Sequence, residues 1–87
     1  MYQLVFGRKF LRSVEKLDSK LKPKLKSSLD LLLKDPFHPL LHTKLLTGEL
    51  SGSYSFRISR DYRVIFKFLS DNVIQLIDVG DRKDIYR

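Results

Sequence analysis

The chain has no cysteine and no tryptophan, a single methionine, and far fewer acids than bases. Without cysteine it has no disulfide, no thiolate metal site and no cysteine nucleophile, so its stability must come from a packed core and its chemistry from other side chains. Asp and Glu number 10 against 17 Lys and Arg, a formal net charge of +7. That imbalance points to an anionic partner, whether nucleic acid, an anionic membrane surface or an acidic protein. Long hydrophobic runs are also missing: no segment approaches the roughly 18 apolar residues of a membrane span, and the opening stretch from Met1 to Arg8 is too short in apolar residues for a signal peptide. A cytoplasmic protein that avoids membranes is the expectation. The chain carries no Gly-rich phosphate loop, Ser-His-Asp spacing or metal-binding carboxylate cluster. His38 and His42 stand in a proline-punctuated loop with no Glu-x-x-His helix nearby, so neither a metal nor a cofactor is expected. At 87 residues the chain reads as one domain, 1–87, burying roughly 60% of its unfolded surface.

What is present is an ordered change of hydrophobic period. Tyr2 to Phe6 is a short β-favouring run closed by Gly7. From Arg8 the period becomes helical, with Phe10, Leu11, Val14, Leu17 and Leu21 as an apolar stripe, and a helix is predicted from about Arg8 to Asp18. Leu25, Leu29, Leu32 and Leu33 mark a second helix, roughly Pro23 to Lys34, with proline in its first turn and Asp35-Pro36 ending it. Asp35 to Gly52 reads as irregular, with one short element around Lys44 to Leu46. Beyond it the period is two: Tyr54, Phe56 and Ile58 share one face of a strand, and Tyr62, Val64, Phe66 and Phe68 one face of the next. The expected fold is α+β, in the order β-α-α-β-β-β, with a helical hairpin packed on a small, mainly antiparallel sheet.

If Ser59-Arg60-Asp61 is a hairpin loop, Ile58 pairs with Tyr62 and Arg57 stands opposite Arg63, on the face away from the aromatic core. Like charges so opposed destabilise a ladder by up to about 1 kcal/mol. Two readings follow: an anion such as a phosphodiester sits between the two guanidiniums, or both splay into solvent or pair with Glu49, Asp61, Asp78 or Asp81. A second tight loop at Asn72 places Val79 opposite Arg63, so that Arg82 leaves the last strand beside the arginine pair. Tyr86, in the basic tail that ends at Arg87, is either a packing anchor or a ring on which an unstacked base rests.

Three segments, Lys44-Leu-Leu-Thr-Gly48-Glu-Leu-Ser-Gly52-Ser-Tyr54-Ser-Phe-Arg57, Asp61-Tyr62-Arg63-Val-Ile-Phe and Gly80-Asp-Arg82-Lys-Asp-Ile-Tyr86, with the β-α-α before them, resemble the RelE/ParE superfamily of type II toxin-antitoxin toxins. The resemblance spans essentially the whole chain. It implies a RelE-like fold and a toxin that enters the ribosomal A site and cuts messenger RNA without a metal, through attack of the ribose 2′-hydroxyl on the adjacent phosphate. Other members of the superfamily inhibit DNA gyrase instead. By position, the implied catalytic residues are Arg57, Arg63, Arg82 and Tyr86: Arg63 and Arg82 hold the scissile phosphate, Arg57 assists at the leaving group or nucleophile, and Tyr86 stacks on or orients the nucleotide. Lys44, Arg60, Lys67 and Lys83 are the implied RNA-binding cations, and the implied partner is an acidic, partly disordered antitoxin. Where similar ribonucleases carry a second lysine on the second strand, this chain has Ser55, and the histidines of another branch fall at Lys44, Arg57 and Arg82. Charge stabilisation is thereby favoured over a histidine acid-base pair.

Overall fold

The computed structural model describes residues 1–86; Arg87, the last cation of the tail, lies outside the described residues. The elements are β1 (Gln3–Phe6), α1 (Arg8–Lys16), α2 (Lys22–Lys34), β2 (Lys44–Leu45), β3 (Tyr54–Arg57), β4 (Tyr62–Ser70), β5 (Val73–Asp81) and the short α3 (Arg82–Ile85). Their strands form a five-stranded sheet in the order β1-β5-β4-β3-β2. Only β1 runs parallel to its neighbour β5; the other pairings are antiparallel. The α+β class and the β-α-α-β-β-β order hold, with the two-residue β2 and the terminal turn α3 added to them.

Gly7 makes the step from β1 into α1 possible. Its N–H donates to the Leu76 carbonyl at 2.9 Å, and a Cβ there would stand 2.6 Å from the same oxygen. Close approach to β5, not an unusual dihedral, requires glycine: its φ is an ordinary −64°. Helix α1 buries Phe10, with Leu17 buried just beyond its end, but Leu11 is 51% exposed. One residue on from Phe10, Leu11 is turned about 100° around the helix and faces away from the sheet. The helix stops at Lys16 rather than Asp18 because the Asp18 carboxylate accepts the Lys20 N–H at 3.0 Å and caps a separate 3₁₀ turn, Ser19–Leu21. Helix α2 carries Pro23 in its first turn and ends at Lys34, as its sequence requires.

Between α2 and β3 the chain is better ordered than its composition suggests. Two 3₁₀ turns, Pro39–Leu41 and Gly48–Leu50, flank β2, and Leu41 is fully buried. Gly48 and Gly52 take left-handed dihedrals of φ 69° and 89°, which favour glycine, and they set the ends of the excursion between β2 and β3.

The two hairpins fix the sheet. Arg57 pairs with Arg63 and the Ile58 N–H donates to the Tyr62 carbonyl at 3.2 Å, in the register expected from the sequence. In the second hairpin Phe66 pairs with Leu76, but Ile65 pairs with Asp78, so Ile77 is an extra residue in a β-bulge. The bulge corrects the expected register by one. Val79 lies opposite Val64 and joins the core, and Gly80 is the partner of Arg63. The core is Phe10, Leu25, Leu32 and Leu41 against Phe56, Val64, Phe66, Ile74, Leu76 and Val79. Tyr54 stacks on Phe66 at 5.5 Å between ring centroids at its edge.

Candidate functional site

The face of the sheet opposite this core carries Ser55 and Arg57 on β3 and Arg63 and Ile65 on β4, by the alternation of side chains along a strand. Arg57 is exposed, whereas Arg63 is only 9% exposed. Arg63 neither splays into solvent nor seeks a carboxylate. Its Nη1 donates to the carbonyls of Ser59 at 3.0 Å, Arg60 at 2.8 Å and Tyr62 at 3.2 Å, and so ties down the β3–β4 loop. The opposed arginines therefore do have a structural reason, one that strand register alone does not reveal. Among the described residues no buried side-chain nitrogen or oxygen lacks a partner. The remaining Nε and Nη2 edge of Arg63 makes no hydrogen bond to any described residue. The guanidinium is held by one edge and presents the other.

Burial pushes the pKa of Arg63 below the usual arginine value; the Arg57 charge acts in the same direction, Tyr86 opposes it, Arg82 adds to the depression and Asp61 opposes it. The side chain stays charged at any working pH, because an arginine starts so far above neutrality. These charges act on Arg63 because Arg57 lies across the ladder from it and Arg82 and Tyr86 stand nearby.

The C-terminal turn achieves that gathering. The Arg82 N–H donates to the Asp61 carbonyl at 2.7 Å, and its Nε lies 3.7 Å from the Asp61 carboxylate. Asp81 caps the turn by accepting the Lys83 N–H at 2.8 Å, and Ile85 is buried beneath it. One residue further, the Tyr86 hydroxyl donates to Ser55 Oγ at 3.0 Å. Ser55 is 3% exposed, and Tyr86 keeps 41% of its surface open. Ser55 thus holds the tyrosine in place. No local pattern in the sequence signals this contact, which joins residues 31 apart.

The other expected cations are dispersed. Lys44 is exposed and lines, with Leu45, Leu46, Thr47, Glu49, Leu50 and Tyr86, a groove of about 460 Å³ beside the tyrosine. Arg60 is exposed at the tip of the β3–β4 loop, and Lys83 on α3 next to Arg82. Lys67, exposed on β4, lies about 13 Å from Arg63 along the strand at roughly 3.3 Å per residue, outside the cluster. His42 lines a second hollow with Arg57, Ser59 and Arg60 and takes a left-handed φ of 50°. Among the described residues no three His, Asp or Glu side chains gather into a metal-binding group, and no helix is long and apolar enough to cross a membrane. Outside the site, Asp78 accepts from Ser13 and pairs with Lys9 at 3.5 Å, fastening α1 to the bulged stretch of β5.

A family model described as the ParE toxin of the type II toxin-antitoxin system, parDE, matches residues 4–86. The structure is similar to YafQ from E. coli strain BL21(DE3), with a TM-score of 0.83 at 19% identity over 100% of both chains. It is similar to a YoeB/ParE toxin from Agrobacterium tumefaciens, with a TM-score of 0.78 at 20% identity over 92% of this chain and 98% of that one. It also resembles the toxin fold in an archaeal RelE–RelB complex from Pyrococcus horikoshii OT3, with a TM-score of 0.76 at 22% identity over 95% and 97% of the two chains. No curated protein sequence matches the chain.

Proposed function

The chain belongs to the ParE toxin family of type II toxin-antitoxin systems, and from that premise we propose that this toxin is a ribosome-dependent endoribonuclease of messenger RNA. The observation that carries the reading is the grouping of Arg57, Arg82 and Tyr86 around Arg63, three permanent cations and a phenol on one face of a small sheet. Such a group suits a phosphodiester in an in-line transfer, where charge accumulates on the non-bridging oxygens. The ribose 2′-oxygen attacks phosphorus as it passes its proton to a water molecule, and the bond to the 5′-oxygen breaks. The products are a 2′,3′-cyclic phosphate and a 5′-hydroxyl.

Arg63, pinned by its Nη1, offers its other edge to the phosphate without reorganising. Arg82 adds the second charge, and Arg57 supports the leaving oxygen or the nucleophile. Tyr86 delivers the proton to the departing 5′-oxygen by releasing its hydrogen bond to Ser55, since no histidine lies in the group. Lys44, Arg60 and Lys83 give the strand non-specific electrostatic hold, with Lys67 at its margin. No step draws on a metal or cofactor. An acidic antitoxin covering this face would silence it.

Expression without a partner should stop translation before DNA synthesis, as read by pulse labelling of both. Purified Arg82→Ala should cleave ribosome-bound messenger RNA roughly a hundredfold or more slowly than the parent, the usual loss for one transition-state donor. DNA synthesis stopping first, with protein synthesis continuing, would replace this reading with inhibition of DNA gyrase. One observation favours that second reading: Arg63 is engaged by three loop carbonyls, as a purely structural arginine would be.

A further inference from the structure

Ser55 puts a hydroxyl where little water reaches. It stands on β3 between Lys44 of β2 and Ile65 of β4, its partners across the two ladders, and is 3% exposed, with Ile65 buried beside it. Among the described residues its Oγ has one hydrogen-bond partner, the Tyr86 hydroxyl at 3.0 Å. Each of the two groups donates one bond and accepts others, and each turns freely about its C–O bond, so at this distance either oxygen can be the donor. A tether needs only the phenol to donate, as it does at rest. Cleavage reverses the demand: a phenol that gives its proton to the departing 5′-oxygen leaves a phenolate, and an anionic oxygen asks for donors. Ser55 carries the one protein O–H already in contact with that oxygen.

From this contact we infer that Ser55 is a positioning residue for proton delivery, a hydroxyl that accepts from Tyr86 before cleavage and turns to donate to it as the bond from phosphorus to the 5′-oxygen breaks. The inference rests on the ribonuclease reading and adds to it a residue that acts only through Tyr86. The electron pair of the breaking bond passes to the 5′-oxygen, and that oxygen takes the Tyr86 proton. Negative charge comes to rest on the phenol oxygen, where the Ser55 O–H meets it in a charge-assisted bond. Arg63 is near enough for an ionised Tyr86 to act on its charge, so the phenolate has a cation as well as a neutral donor at hand. Solvent, which took the 2′-proton, returns one to the phenolate, and Ser55 accepts again. Because β3 is paired on both sides at Ser55, the exchange takes one rotation of a hydroxyl and no movement of the backbone.

The test is single-turnover cleavage of two ribosome-bound messenger RNAs by the full-length protein: one ordinary, the other with sulfur in place of the bridging 5′-oxygen at the cleaved bond. A thiolate leaves without being protonated, so the second message has no use for proton delivery. Ser55→Ala should cut the ordinary message roughly ten- to hundredfold more slowly than the parent, the usual worth of one hydrogen bond to a charged group, with the half-saturating concentration within about twofold. On the sulfur-containing message it should come within about threefold of the parent. Tyr86→Phe should show the same rescue, and the double variant should be no slower than Tyr86→Phe. Ser55→Thr, which keeps the hydroxyl, should hold the ordinary rate within about threefold, whereas its isostere Ser55→Val should not, which separates the hydroxyl from packing. Arg82→Ala should stay slow on both messages, since it serves the non-bridging oxygens. Equal slowing of Ser55→Ala on the two messages would reduce Ser55 to a tether, and parental rates on both would leave it no part in the reaction; either result overturns the inference and leaves the ribonuclease reading standing. A parent that cuts neither message would overturn both.

Discussion

Arg63 answers two demands at once, and its environment tells them apart. Three loop carbonyls converge on its Nη1, so removing the side chain strands acceptors on a partly buried hairpin turn. Arg57, directly across the ladder, holds no such post and only adds like charge. The two substitutions should therefore part company in a thermal melt. Arg63→Leu is expected to lose about 1.5–3 kcal/mol, the range for hydrogen bonds made by a charged group. Arg57→Leu should be neutral or slightly stabilising, by tenths of a kilocalorie to about 1 kcal/mol. Equal melting temperatures for the two variants would mean that the loop does not depend on Arg63. The depressed pKa of Arg63 adds no pH dependence within the working range: a depressed group gains its stabilising contribution only above its unfolded pKa, and for arginine that lies far above neutrality.

At the scale of elements, the placement of the site depends on one short turn. Helix α3 has four residues, too few to persist alone, and it is held by Ile85 underneath, Asp61 at its start and Ser55 beyond its end. Ser55→Ala and Tyr86→Phe should each raise the hydrogen-exchange rate of the Arg82 amide, and the double variant should be no worse than either single one, because they remove the same bond. Additive effects would show that the tyrosine ring, not its hydroxyl, docks the turn.

Much of this arrangement was legible in the sequence. Alternation from Tyr54 to Phe68 and the Ser59-Arg60-Asp61 loop gave the Arg57–Arg63 register, and proline and glycine positions gave both long helices to within two residues. The bulge at Ile77 was not legible, since an extra residue within an apolar run leaves alternation ambiguous where both faces are covered. Nor was the role of Ser55, because its bond to Tyr86 spans 31 residues and no local pattern records it.

For the whole molecule the dominant quantity is charge. The formal +7 is spread over a domain with principal extents of 31 × 28 × 25 Å, and only Lys9–Asp78 and Arg82–Asp61 form ion pairs among the described residues. Most cations therefore contribute to a field that extends past the surface by about 8–10 Å at 0.10–0.15 M salt. An acidic antitoxin segment would be drawn in by that field before it finds its contacts, so charge should govern arrival more than residence. Stopped-flow association of the toxin with its antitoxin should slow by roughly tenfold or more as salt rises from about 50 to 500 mM, with a much smaller change in dissociation. Replacing Lys44, Arg60 and Lys83 with glutamine should flatten that salt dependence while leaving the melting temperature nearly unchanged, since all are exposed. An association rate indifferent to salt would mean that the antitoxin recognises shape and apolar surface, such as the exposed Val5, Phe6 and Leu11, and that the basic face is reserved for RNA alone.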